Sequence, residues 1–297
     1  MIHPVPYRGR FAPSPTGPLH FGSLVAALAS YLDARSQHGT WLLRIEDVDP
    51  LREMPNASEQ IIRALAAHGL HWDETILYQS QHTERYQHVA DTLIVAGHAY
   101  YCPCSRKDLL AANGQHSPGC RSLSAPTSTS AAIRFALENQ VHTWQDQIQG
   151  VCDYRLQASI DDFVIKRKEG FFSYQLAVVC DDIFQRINQV VRGSDLLDST
   201  PMQLALYRTL GEAPPAYAHL PVIINRTGQK LSKQNHAPAL DLTRPKDNLW
   251  RALNALNIRL NPLLYHGSLE EILQQAIDHW SIRQIQPIKS ISEEEVL

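Results

Sequence analysis

The chain has 297 residues, 44% of them hydrophobic and 19% charged, and a net charge of −3. That length buries a full core and allows two or three structural units. No apolar run approaches the roughly 20 residues of a membrane span, the opening MIHPVPYRGR holds no apolar signal stretch, and the charge balance leaves no overall basic footprint for nucleic acid. A cytoplasmic monomer without membrane contact is therefore expected.

Residues 7–12 read as a short strand. The turn Pro13-Ser14-Pro15-Thr16-Gly17 follows, then a helix expected over about 23–37, with Leu24, Leu28, Tyr31 and Leu32 on one face and Gly39 as its stop. Residues 41–45 read as the next strand, with Glu46-Asp47 at its end. The three form a βαβ unit, and ligands of such sheets sit at the carboxyl ends of the strands. Amphipathic helices follow near 57–68 and 84–96, each closed by a glycine.

From about 100 to 172 the pattern changes and reads as an insertion. Cys102, Cys104 and Cys120 come first, then a Ser/Thr/Pro-rich stretch at 122–130, then strand-like runs at 132–136 and 162–166. Five cysteines, an odd number with three close together, suit a reducing compartment and a metal site better than disulfides. Cys102-Pro103-Cys104, with His116 ahead of Cys120, offers three thiolates and one imidazole. Zinc prefers such a tetrahedral set, and a closed set of four implies one structural Zn2+ per chain. Cys152 and Cys180, among apolar neighbours, are expected in the core.

The sheet pattern is expected to return at 174–180 and 187–192. Thr200-Pro201 opens a helix, 220–224 reads as a strand, and the turn 225–229 delivers Lys230-Leu231-Ser232-Lys233. Beyond Asp241 the chain reads helical, through 249–256 and 269–280, to the acidic end Glu293-Glu294-Glu295.

Two segments carry chemistry together. A strand that turns through prolines and Gly17 into a helix points backbone N–H groups and the positive end of the helix dipole at one place. Gly22 lets the backbone approach a ligand closely, and His20 can donate to a phosphate oxygen. Lys230 and Lys233, on a turn far along the chain, can close over phosphates and stabilise developing charge. The pair reads as one ATP phosphate site and implies activation of an acid by adenylylation, with Mg2+ accompanying the ATP.

His20-Phe21-Gly22-Ser23 resembles the HIGH signature of class I aminoacyl-tRNA synthetases, and Lys230-Leu231-Ser232-Lys233-Gln234 resembles their KMSKS loop, with Gln234 departing from the usual Ser or Arg. The resemblance implies His20, Lys230 and Lys233 as catalytic groups and His20, Gly22, Lys230, Ser232 and Lys233 as nucleotide contacts. Longer strings narrow it. The runs Arg10-Phe11-Ala12-Pro13-Ser14-Pro15-Thr16-Gly17, Arg44-Ile45-Glu46-Asp47-Val48-Asp49 and Val191-Arg192-Gly193-Ser194-Asp195-Leu196-Leu197 resemble glutamyl-tRNA synthetases. In the glutaminyl branch an aspartate normally stands in place of Glu46.

The residues agree with that acid. Arg10 and Arg192 can each clamp a carboxylate with a forked pair of hydrogen bonds. Glu46, with Tyr174, can hold the ammonium, and Phe11, Ala12, Pro13 and Ser14 complete the expected glutamate site. An arginine facing the substrate side chain rejects glutamine, whose amide leaves that charge unpaired. Transfer needs no covalent enzyme intermediate, because positioning and charge stabilisation carry the reaction.

The resemblance implies a Rossmann-type parallel sheet (α/β). Its first half would span 1–99, a zinc-containing insertion 100–172, the second half with the lysine loop 173–240, and a short helical unit 241–297. No anticodon-binding domain is expected after it. That short ending resembles the glutamyl-queuosine branch, where a tyrosine usually stands at the zinc position that His116 takes in this sequence. This branch implies tRNA-independent activation of L-glutamate and transfer to queuosine in the anticodon of tRNA(Asp). RNA would be gripped by the insertion, with Arg106, Lys107, Arg121, Lys166, Arg167 and Lys168 as candidates. A reduced ligase for a tRNA 3′ end, a non-catalytic RNA-binding paralogue and an adenylyltransferase with another acceptor stay open.

Overall fold

The computed structural model describes residues 5–296 apart from 115, 117–118, 127–130 and 232–237. Strand β1 (Arg8–Phe11) leads through the proline turn into helix α1 (Phe21–Ser36), and the chain returns in β2 (Thr40–Ile45), parallel to β1 with Arg10 opposite Leu42. Helix α2 (Ala57–Ala67) and the short β3 (Leu77–Tyr78) follow, with β3 pairing in parallel with β2. Helix α3 (Thr83–Val95) ends the first half.

Residues 100–172 divide into two pieces. Strands β4 (Ala99–Cys102), β5 (Ala132–Phe135) and β8 (Phe163–Lys166) form a small antiparallel sheet, with helix α4 (Arg106–Ala111) following β4. Between β5 and β8 lies a hairpin, β6 (Gln140–Asp146) and β7 (Gly150–Leu156), absent from the sequence reading. Its strand β6 pairs in parallel with the strand over 216–220, with Asp146 opposite Tyr217.

Helix α5 (Tyr174–Phe184) corrects an expectation, since 174–180 read as strand. The run Leu176-Ala177-Val178-Val179-Cys180 is buried throughout, so it has no period to read. The Ser173 hydroxyl caps the helix by accepting from the Leu176 N–H at 3.5 Å, and Asp181-Asp182-Ile183-Phe184 extend it beyond strand length. Strand β9 (Gln189–Gly193) lies beside β1, where the Asn188 N–H donates to Arg8 O at 3.0 Å. After helix α6 (Thr200–Leu210), the strand expected over 220–224 is two strands broken at Pro221, β10 (Ala216–Leu220) and β11 (Val222–Ile224). β10 pairs in parallel with β9, placing Arg192 opposite His219. Proline cannot continue the ladder, and β11 turns to a different partner.

Helices α7 (Pro245–Ala255) and α8 (Leu269–Asp278) appear as expected. The helical reading of the final stretch misses β12 (Ser290–Ser292), which pairs with β11.

Helix α1 is the centre of the core. It packs on β1, β2 and β9 with one side and on α7 and α8 with the other. Leu24, Leu28 and Leu32 of its expected face are fully buried, and so are Ala27 and Ala29, because two layers cover it. The residue that ends it in the left-handed region is His38 (φ 51°) rather than Gly39. Gly39 serves close approach instead, as a Cβ there would lie 2.6 Å from Tyr7 Cβ. Trp280, beyond α8, donates its indole N–H to Asp33 on α1 at 2.9 Å, fastening the terminal unit to the core. Among the described residues no helix is long and apolar enough to cross a membrane.

Candidate active site

The parallel strands end at a cavity of about 1020 Å³. The expected glutamate residues Arg10, Phe11, Ala12, Pro13, Ser14, Glu46, Tyr174 and Arg192 line it, and so do His20, Gly22 and Lys230. β1 supplies Arg10, the end of β2 supplies Glu46, β9 supplies Arg192 and the start of α5 supplies Tyr174. Ser232 and Lys233 lie outside the described residues.

At the end expected to hold the nucleotide, His20 is the N-cap of α1. Its Nδ1 accepts the Ser23 backbone N–H at 3.2 Å, and Ser23 Oγ lies 3.0 Å from its Nε2. Gly22 sits against this ring, where a Cβ would come within 3.4 Å. Lys230 faces the same cavity and forms an ion pair with Asp195, a partner the sequence reading did not identify.

The end expected to hold the acid contains two buried arginines in opposite situations. Arg10 is not a free clamp. Its Nε and a terminal nitrogen donate to Asp182 on α5 at 3.1 and 3.5 Å, and the same carboxylate holds buried Arg44. Burial works against ionised Asp182, but Arg10 and Arg44 prevail and hold its carboxyl below the usual range. Arg192 has only neutral acceptors. Its Nε–H donates to His219 Nε2 at 3.0 Å, and its terminal nitrogens donate to Gln203 Oε1 and Thr200 Oγ1, each at 2.8 Å. Two longer contacts, to Tyr174 Oη and Leu196 O, measure 3.4 Å. Arg192 is 5% exposed, and no carboxylate among the described residues pairs with it.

Glu46 is the complement. It is 8% exposed, and among the described residues its buried Oε1 has no hydrogen-bond partner, with Arg44 Nε 3.9 Å away and equally unpartnered. Burial pushes its carboxyl up to about 7 against the pull of Arg44 and Arg10. Among the described residues, the cavity wall therefore holds one buried cation lacking an anion and one buried carboxylate lacking a hydrogen-bond donor. A zwitterionic acid with a second carboxylate supplies both.

The cysteine cluster assembles in the small antiparallel sheet. The ligand atoms of Cys102, Cys104 and His116 lie within 4.8 Å of one another. Cys102 Sγ is 3.2 Å from His116 Nδ1, and Cys104 Sγ is 3.6 Å from Cys120 Sγ. Thiolates at the corners of a zinc tetrahedron stand roughly 3.7 Å apart, so Cys102, Cys104 and His116 could hold a metal ion, while the expected fourth ligand, Cys120, lies near Cys104 but outside that group of three. Beneath them Asp162 accepts from Tyr100 Oη at 2.7 Å and from Arg121 Nε at 2.9 Å. Arg121 is thus committed to the fold rather than offered to RNA. Arg167 is paired with Asp49 at 2.9 Å, Lys166 donates to Gln87 and Lys168 to Pro103 O. The side chain of Arg106 lies outside the described residues.

The sequence reading missed Asp182, Asp195, His219 and Asp146. Asp182 was legible only as an acid closing an apolar run. His219 and Asp146 carry no local signal at all.

Comparisons with known proteins show the family of the chain. Residues 6–261 match the family model described as tRNA synthetases class I (E and Q), catalytic domain. A Vibrio cholerae protein named glutamyl-Q tRNA(Asp) synthetase is 46% identical over 282 residues, covering 95% of this chain and 93% of that one. An Idiomarina loihiensis protein of the same name is 47% identical over 274 residues, covering 92% and 96%. Among solved structures, a glutamate-tRNA synthetase from Elizabethkingia anophelis superposes with a TM-score of 0.79 at 24% identity, over 98% of this chain and 69% of that one. At that identity it supports the fold alone.

Proposed function

This chain belongs to the class I tRNA synthetases for glutamate and glutamine, and on that premise we propose that it activates L-glutamate with ATP and transfers it to queuosine in tRNA(Asp). The observation that carries the acid is the complementary pair in the cavity wall, Arg192 without an anion and Glu46 without a donor. The relatives' shared name carries the acceptor.

In this reading Glu46 and Tyr174 take the substrate ammonium and Arg192 takes the side-chain carboxylate. That carboxylate stays charged throughout, whereas the reacting one loses its charge on adenylation, and a buried cation needs the lasting partner. Arg10, whose Nε and one terminal nitrogen are held by Asp182, contributes its other terminal nitrogen to the reacting carboxylate. An oxygen of the α-carboxylate attacks the α-phosphorus of ATP, and the bond to pyrophosphate breaks. A hydroxyl of the acceptor then attacks the acyl carbon, loses its proton, and AMP leaves. His20, Gly22, Lys230, Ser232 and Lys233 hold the phosphates, and Mg2+ arrives with ATP. Charge stabilisation and alignment supply the catalysis. Cys102, Cys104, His116 and Cys120 hold one structural Zn2+.

Glutamate-dependent ATP–pyrophosphate exchange without tRNA tests the first step, and no exchange refutes it. Radiolabelled glutamate with tRNA(Asp), with and without queuosine, tests the second. Labelling only the modified tRNA is expected, while equal labelling of both, or labelling of tRNA(Glu) alone, overturns the acceptor. Metal analysis of the purified protein should find about one zinc per chain.

A further inference from the structure

We infer that Asp146 and His219 are positioning residues that fix Arg192 as the reader of the glutamate side chain. The inference rests on the proposed reading of the cavity. The three residues lie side by side across the sheet, Arg192 on β9, His219 opposite it on β10, and Asp146 at the end of β6. All are buried, His219 and Asp146 almost completely.

The geometry selects one tautomer of His219. A guanidinium can only donate, and Arg192 Nε lies 3.0 Å from His219 Nε2, so that nitrogen presents a lone pair. The imidazole proton then sits on Nδ1 and is donated to Asp146 Oδ2 at 2.5 Å. Asp146 in turn cannot rotate freely. Its Oδ1 accepts the backbone N–H groups of Ile148, Gln149 and His219 at 3.0, 2.9 and 3.1 Å. The Tyr217 ring stacks on the imidazole and lies 5.0 Å from the Arg192 guanidinium carbon. A protonated imidazole would point an N–H at the Arg192 N–H, and the Thr200 hydroxyl, 3.2 Å from Nε2, already accepts from Arg192 and can donate its own proton to the lone pair there. Burial lowers the pKa of His219, which favours the neutral ring the geometry already requires.

The consequence is a divided guanidinium. The close bonds to His219, Gln203 and Thr200 set its plane, and the two 3.4 Å contacts mark the donors a substrate carboxylate can take over. Asp146 thus acts on substrate through a tautomer. Replacing it by asparagine keeps the shape, since Oδ1 still accepts from the backbone, but puts an amide donor against His219 Nδ1. The imidazole must then move its proton to Nε2, facing the Arg192 N–H.

Asp146→Asn is expected to raise the KM for glutamate in ATP–pyrophosphate exchange by roughly ten- to a hundredfold, the cost of opposed buried donors. The preference for glutamate over glutamine should fall with it, with the KM for ATP unmoved and kcat within a few-fold. His219→Gln restores an acceptor toward Arg192 through its amide oxygen and should keep the KM within a few-fold, whereas His219→Met should lose it. In an Asp146→Asn, His219→Gln double variant the asparagine should cost little, because no tautomer remains to be set. Unchanged glutamate KM in Asp146→Asn, or equal losses in His219→Gln and His219→Met, overturns the inference. If Asp146→Asn does not fold, the two His219 variants decide alone. Absence of glutamate-dependent exchange in the unaltered protein refutes the underlying reading instead, so the two failures are distinguishable.

Discussion

The two arginines of the acid end, Arg10 and Arg192, are equally buried and differently held. Arg10 and its neighbour Arg44 share the carboxylate of Asp182, so the fold itself supplies their counter-charge. Arg192 is surrounded by His219, Gln203 and Thr200, which satisfy its hydrogen bonds and, among the described residues, leave its charge unmatched. A buried charge without an ionic partner is costly. On the proposed reading the difference separates structure from recognition: one cation is settled on folding, and the other is kept in place for an anion that arrives with the substrate.

Removing Asp182 should have the largest effect. Asp182→Ala strands two buried guanidiniums, and breaking such a pair costs about 3–5 kcal/mol. Thermal or urea unfolding should show it, and a change below about 1 kcal/mol would mean the pair is no structural anchor. Arg192→Gln should come next and act in the opposite sense. No carboxylate loses its partner, so stability should hold. Glutamate-dependent exchange should fall by roughly a hundredfold or more, as expected when a buried charge-assisted contact is lost. A variant that unfolds while its residual glutamate affinity is normal would reverse the contrast between the two sites.

Glu46 extends the contrast to an anion, and its sign can be worked out. Its carboxyl is raised from 4.5 to about 7, chiefly by burial, with Arg44 and Arg10 pulling down and Asp182 and Asp181 pushing up. Between those values the folded protein keeps a proton that the unfolded chain has released. Ionising Glu46 therefore costs stability as pH rises through the window, and the cost is complete above about 7. On the proposed reading the substrate ammonium needs the ionised form, so the KM for glutamate should fall as pH rises from about 6 to 8. Glu46→Gln should flatten that dependence, raise the KM by roughly tenfold, and leave the free protein as stable or more so above pH 7. A KM that rises with pH would place the ammonium elsewhere.

How much of this was open to sequence reading follows from the range of each signal. β1, α1 and β2 were legible because periodicity, a turn and a capping residue lie within one short stretch, and all the described cavity residues named from motifs do line the cavity. Helix α5 was hidden because residues 176–180 are apolar without interruption, and misreading it as strand removed Asp182 from view. The Asp146–His219 contact spans 73 residues and exists only because β6 joins β10. A single Asp and a single His, each ordinary in its own neighbourhood, become a pair through strand pairing alone. The strand β12 was lost for the same reason, since its partner β11 is far away along the chain.

The smallest effect tests the contrast most finely. Tyr174 Oη accepts from Arg192 at 3.4 Å, a separation at which a hydrogen bond contributes little. If Arg192 were anchored by all its neighbours equally, losing this hydroxyl would disturb it as much as losing Gln203. If the long contacts only occupy donors that the substrate carboxylate takes over, the hydroxyl matters little in the free protein and modestly in the complex. Tyr174→Phe should therefore leave stability within about 0.5 kcal/mol and change the KM for glutamate by about fivefold or less, near the worth of one ordinary hydrogen bond. Gln203→Leu, which removes a 2.8 Å acceptor from a buried cation, should cost several times more. Equal losses in the two variants would show that Arg192 is held as rigidly as Arg10, and the division between a settled and a waiting cation would fail.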